Sequence, residues 1–134
     1  MSYEMTILAL TTLFYMFSWL PASLAKYHAY GNRWLVSNRS TQGLPPLSEL
    51  GQRAVRAHEN LRDNYPGFAV AILLLAFTAG FTPYTTLAAL VFLVARLVYL
   101  PAYIFGMPWL RIFSWLGGFV AMVYLLIMAL VVLV

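Results

Sequence analysis

Two short runs hold most of the residues in this sequence that could do chemistry. In RAVRAHENLRDNYPGF at 53–68, Arg56, Asn60 and Asp63 stand at spacings of 4 and 3. That spacing lines up a cation, an amide and a carboxylate on one helix face over about two turns. In ARLVYLPAY at 95–103, Arg96, Tyr99 and Tyr103 repeat the pattern at i, i+3 and i+7, and Arg111 follows further on. Arginines with amide and phenol donors suit a small, multiply anionic molecule, because the guanidinium fork grips carboxylates bidentately. Blander readings stand beside this one. The first run also fits a solvated helix steadied by local pairs such as Glu59 with Arg62, each worth about 0.2–0.5 kcal/mol. Arg96 could snorkel or pair with Asp63. His58 reads as a hydrogen-bonded residue, and with only His28 for company no metal site is expected.

The elements that must position these groups are membrane helices. The chain has 134 residues, 63% of them hydrophobic and 9% charged, against roughly 25% charged in a soluble domain. It contains no cysteine, which excludes a disulfide framework, a thiolate metal site and a protein thiol nucleophile. Charge-free stretches at 5–25, 64–95, 97–110 and 112–134 approach or exceed the roughly 20 residues a spanning helix needs. The 64–95 stretch is too long for one span and breaks at Gly80-Phe81-Thr82-Pro83. The expected architecture is an all-α, four-helix membrane bundle forming a single domain over 1–134. Its spans lie at about 5–25, 64–81, 83–104 and 112–134, with a loop at 30–47. A helical extension at 48–63, capped by Ser48, carries the second span into the cytoplasm. Ser23-Leu24-Ala25 faintly resembles a signal cleavage site, but the preceding segment carries Glu4 and no basic residue.

Charge placement gives the topology. Lys26, Arg33, Arg39, Arg53, Arg56 and Arg62 lie between spans one and two, and Arg111 between three and four. The positive-inside rule puts those connections, including 26–63, in the cytoplasm and both termini outside. The basic excess therefore reads as topology, and no nucleic-acid partner is expected. A small proton-coupled multidrug transporter is also possible by size, but it wants a carboxylate in mid-membrane, and the first span offers only Glu4 at its outer edge.

Arg56-Ala-His-x-Asn60-x-x-Asp63-x-x-Pro66 joined to Arg96-x-x-Tyr99-x-x-x-Tyr103 resembles the paired signature of the MAPEG family, membrane-associated proteins of eicosanoid and glutathione metabolism. The likeness extends over the whole chain in length, span layout and loop placement. It implies a homotrimer of four-helix bundles, a microsomal glutathione transferase-like member in a bacterial inner membrane, with glutathione as co-substrate at cytoplasm-facing subunit interfaces. On this resemblance Arg56, Asn60 and Asp63 hold glutathione. Arg96, Tyr99 and Tyr103 complete the site from a neighbouring subunit, and His58 stands where members carry His or Gln. Arg111, displaced by about one residue from the family arginine, would be the catalytic thiolate stabiliser. The implied activity is a transferase or peroxidase acting on lipophilic electrophiles or lipid hydroperoxides that arrive from the bilayer, in a groove of the first and fourth spans. Trp34, Trp109 and Trp115 read as interfacial anchors or entrance residues. The alternative is a non-catalytic member of the same family that binds a lipid or thiol as a scaffold.

Overall fold

The computed structural model describes residues 2–134, and its regular structure is entirely helical. The helices are α1 (Tyr3–Phe17), α2 (Leu20–Leu35), α3 (Glu49–Phe77), α4 (Pro83–Ile104) and α5 (Pro108–Leu133). Ser18 and Trp19, between α1 and α2, keep right-handed helical backbone angles, so the two form one bent helix and the fold has four helical units. Pro21 explains the bend. It has no N–H to donate and its ring crowds the carbonyl four residues earlier, which belongs to Phe17, the last residue of α1.

The expected loop at 30–47 is corrected at its start, since α2 continues to Leu35. The turn-rich look of Tyr30-Gly31-Asn32 is absorbed by one residue. Gly31 takes φ 77° and ψ −178°, a backbone region essentially closed to other residues, and the helix resumes after it. Gly31→Ala has open space for its methyl group, so only the backbone resists. The variant is expected to lose about 1–3 kcal/mol, read as a lower thermal midpoint in detergent. An unchanged midpoint would show that the bend relaxes at no cost.

Helix boundaries follow from caps. Ser48 accepts from Gly51 N–H at 3.2 Å, starting α3 where the sequence placed it. The far end comes four residues earlier than expected: Ala79 adopts φ 52°, and Gly80 N–H reaches back to the Leu75 carbonyl at 2.9 Å. That closure ends the helix at Phe77. α4 occupies 83–104 as expected, opened by a reciprocal Thr82–Thr85 capping box with Pro83 at its first position. It closes at Gly106 (φ 70°), with Met107 N–H on the Ala102 carbonyl at 2.9 Å. Because Pro108 can start a helix at once, α5 begins there and not at Ile112, so Arg111 stands in its first turn and not in a connecting loop.

Among the described residues, three stretches are long and apolar enough to cross a membrane: Tyr3–Leu35, Pro83–Ile104 and Pro108–Leu133. α3 is divided, polar through Asn64 and apolar from Phe68 to Phe77. Its apolar half packs inward, with Phe68, Ala71, Ile72 and Leu75 buried against Ala89 and Phe92 of α4 and Ala121, Leu125 and Ala129 of α5. The Phe68 and Phe92 rings stack 4.1 Å apart at the centre. Alanines facing these large residues let the helices approach closely, which matters where lipid supplies no hydrophobic drive for helix association. At the other end Glu4 is buried. Its carboxylate accepts from Thr86 Oγ1 at 2.5 Å, Thr85 Oγ1 at 3.3 Å and Ser2 Oγ at 2.7 Å, tying α1 to the start of α4.

Candidate functional site

The polar half of α3 lies beside the last turns of α4 and the first turns of α5, and two adjoining cavities open between them. The first, about 380 Å³, is lined by Asn60, Tyr99, Tyr103, Arg111, Ile112, Trp115 and Leu116. The second, about 410 Å³, is lined by Arg53, Arg56, Ala102, Tyr103, Gly106, Met107, Pro108 and Arg111. Tyr103 and Arg111 border both. The two cavities therefore form one site with a strongly basic end, Arg53 and Arg56, and a more apolar end, Ile112 and Leu116.

Each wall has a local cause. The Schellman-type closure at Gly106 turns α4 straight into α5 and brings Arg111 back over Tyr103, with the guanidinium carbon 4.9 Å from the ring centre. A cation in the first turn of a helix opposes the helix dipole, so Arg111 and the α5 N-terminus add their positive potentials at one place. Arg53 leans against Gly106, where a methyl would lie 2.8 Å from its Nη1, and the φ of 70° is what calls for glycine there. Arg53 also pairs with Glu49 at 3.3 Å.

Asn60 is oriented by two donors. Trp115 Nε1 reaches Asn60 Oδ1 at 3.1 Å and Asn64 Nδ2 reaches it at 3.0 Å. With the amide oxygen so occupied, the Asn60 NH₂ remains to donate to an anionic ligand. Trp115 is thus part of the site, not simply an interfacial anchor. Its signal was present in the sequence: it stands four residues after Arg111 on one helix face, and an indole N–H in an apolar helix needs an acceptor.

The other expected site residues are distributed differently. Tyr99 and Tyr103 line the first cavity together with Asn60 of the same chain. The Tyr99 ring is buried and meets Tyr103 edge-on at 5.6 Å. Asp63 shares the stripe with Arg56 and Asn60 but lines neither cavity. Its carboxylate is exposed, with Arg62 Nε 3.7 Å away, and it makes no pair with Arg96. His58 faces the opposite way, towards α1. Its Nδ1 lies 3.0 Å from Ser18 Oγ and its ring 6.2 Å from that of Tyr15. Burial, reinforced by Arg62 and Lys26, holds the imidazole below its ordinary pKa, so His58 is neutral at pH 7. It lines a separate cavity of about 300 Å³ with Lys26, Arg39, Trp19 and Trp34.

Arg96 departs furthest from expectation. It neither snorkels nor joins Arg56 and Arg111. It is 2% exposed, and none of its three guanidinium nitrogens has a hydrogen-bond partner among the described residues. Its charge rests on aromatic faces, 4.9 Å from the Phe92 ring centre and 5.9 Å from that of Tyr99. Tyr99 stands between this buried cation and the cavities. The guanidinium lies over Gly118 of α5, where a methyl group would come within 2.8 Å of Nη2.

Comparison with known proteins agrees with the paired motif. A model of the MAPEG family matches residues 3–131, nearly the whole chain. No curated protein matches the sequence, and no solved structure matches it. With both signature segments folded against one another and the match running from the start of α1 into the last turn of α5, the chain belongs to the MAPEG family.

Proposed function

We propose that this protein is a glutathione-dependent transferase or peroxidase of the membrane, acting on lipophilic electrophiles or lipid hydroperoxides. Family membership and three membrane-long apolar helices make it an integral membrane protein related to glutathione and eicosanoid metabolism. The observation that carries the finer reading is Arg111. It stands at a helix N-terminus, over Tyr103, where a cavity of donors meets a more apolar wall.

In this reading Arg53 and Arg56 hold the carboxylates of glutathione and the Asn60 amide orients its backbone. Arg111 then faces the sulfur and favours the thiolate. In conjugation the thiolate forms a carbon–sulfur bond as the leaving group departs with its electron pair. In the peroxidase reaction two glutathiones give up two electrons and two protons. The hydroperoxide O–O bond breaks, and an alcohol, water and glutathione disulfide result. Asp63 and His58 act on glutathione only if a second chain presents them, which accords with the proposed homotrimer, whereas Arg96, buried behind Tyr99 in its own chain, acts only through its charge. α3 is the proposed second crossing of a four-span topology, sheathed by its neighbours. The basic 26–63 connection faces the cytoplasm of a bacterial inner membrane and both termini lie outside. The scaffold alternative draws support from one feature, the exposure of Asp63, since the cavities contain no carboxylate for the glutathione ammonium.

Calorimetry of glutathione with the detergent-solubilised protein decides between them. Wild type is expected to bind, and Arg56→Ala to bind about 10- to 100-fold more weakly, the worth of a lost charged hydrogen-bond pair. No heat from folded wild type would reject the glutathione reading.

A further inference from the structure

The chain has four carboxylate side chains, Glu4, Glu49, Glu59 and Asp63, and none of them lines either cavity around Arg111. Glu4 is buried where α1 meets the start of α4, held by Ser2, Thr85 and Thr86. Glu49 reaches Arg53 from an exposed position, Glu59 is exposed, and Asp63 lies out beside Arg62. Arg53, Arg56 and Arg111 do line the cavities, so the walls are cationic and carry no anion. The other groups there that attract an ammonium are already engaged. Asn60 Oδ1 accepts from Trp115 and from Asn64. The Tyr103 ring lies under the guanidinium of Arg111 and the Tyr99 ring beside that of Arg96, so a second cation on either ring meets a like charge. At the end of α4, the Ala102 and Tyr103 carbonyls accept from the N–H groups of Met107 and Gly106.

We infer that this site reads its thiol ligand through anionic groups alone: the co-substrate class is a thiol bearing two carboxylates, whose amine stays in solvent and can be acylated or absent without loss of binding. The inference rests on the glutathione reading and narrows it. Arg53 and Arg56 suit two carboxylates, because each guanidinium fork takes one up bidentately. The Asn60 NH₂ adds a donor and Arg111 a charge for the sulfur. The α-ammonium is the one group of glutathione for which these walls have no complement. Drawn inward it loses water, gains no free acceptor and faces three guanidiniums, so it turns out to the mouth of the cavity. Asp63 shares the helix face of Arg56 and Asn60 but is then silent in binding. A second copy of the chain brings only the same four carboxylates, and its Glu4 is spent at the other end of the bundle.

The test is calorimetry on the intact detergent-solubilised protein with glutathione, N-acetylglutathione and the glycine ethyl ester of glutathione. N-Acetylation removes the ammonium and keeps both carboxylates. It is expected to leave the affinity unchanged or to raise it by up to about tenfold, since a like charge leaves a cationic site. The ester has lost one carboxylate and should bind about 10- to 100-fold more weakly. The ratio of the affinities for N-acetylglutathione and glutathione should stay within about twofold of the wild-type value in Glu49→Gln, Glu59→Gln and Asp63→Asn. Using the ratio keeps the comparison sound even where a substitution perturbs the fold. A loss of about tenfold or more on N-acetylation overturns the inference and leaves the glutathione reading standing. A ratio that rises in one of the three variants also overturns it, by identifying the carboxylate that reads the ammonium in the assembled protein. So does an ester that binds as tightly as glutathione, because the arginines then read no carboxylate. No heat from either glutathione or its N-acetyl form with folded wild type rejects the glutathione reading and the inference with it.

Discussion

Arg111→Ala is expected to leave glutathione bound but largely protonated, lowering turnover at pH 7 by about 10- to 100-fold. A free thiol titrates near 8.5, so at neutral pH only about 3% is thiolate. A guanidinium roughly 4 Å from the sulfur is worth about 4 kcal/mol at an effective dielectric of 20. Each unit of pKa corresponds to about 1.4 kcal/mol. The cavity is open to solvent, which screens part of this, so a lowering of about two units is reasonable and makes most of the bound thiol anionic at pH 7. Removing the charge returns the thiol towards its ordinary value, apart from the share supplied by the α5 N-terminus.

The sign of the pH dependence follows. Raising the thiol pKa moves the activity rise to higher pH, so Arg111→Ala should recover part of its rate in alkaline buffer while wild type has already levelled off. Ultraviolet absorbance of the bound thiolate across the same pH range gives an independent reading. Arg111→Lys keeps a charge but loses the guanidinium that lies over Tyr103, and should fall between the two. An Arg111→Ala variant with wild-type thiolate absorbance would remove Arg111 from the mechanism. A wild type that binds glutathione but shows no thiolate would favour the scaffold.

The sequence carried the membrane character, the helix limits of α4 and the clustering of Arg56, Asn60, Tyr99, Tyr103 and Arg111, because charge gaps and 3.6-residue spacing are local properties. What it could not carry was depth and facing between helices. Arg96 and Tyr99 share a helix face on paper, yet one turn separates a cavity wall from a buried cation, and the difference is made by Gly118 on another helix. His58 sits two residues from Arg56 and Asn60, nearly opposite them on the helix, so the motif that contains all three says nothing of their common direction. Arg111 seemed to lie in a loop because a Gly-Met-Pro sequence reads as a stop. In the fold the same three residues end one helix and start the next.

The buried cation leads to the second large effect, a coupling between Gly118 and Arg96. Gly118→Ala places a methyl group 2.8–3.0 Å from the guanidinium, which is held against Phe92 and Tyr99 and cannot simply swing away. Overpacking of this kind costs about 1–3 kcal/mol, so the thermal midpoint should drop by several degrees. Arg96→Met should do the reverse. An unpaired buried charge costs several kcal/mol to desolvate, and well-packed apolar replacements of buried charges are often neutral or stabilising by about 1–4 kcal/mol. In the double variant the methyl group meets a flexible thioether, and the cost of Gly118→Ala should largely vanish. Additive midpoints would show that the two residues do not share the space the structure gives them. The stable Arg96→Met variant then separates two reasons for keeping such an arginine. If its turnover falls while its fold gains, the charge is retained for the site beyond Tyr99, as ionisable groups inside membranes usually are. If turnover is untouched, Arg96 serves the packing of α4 on α5 alone.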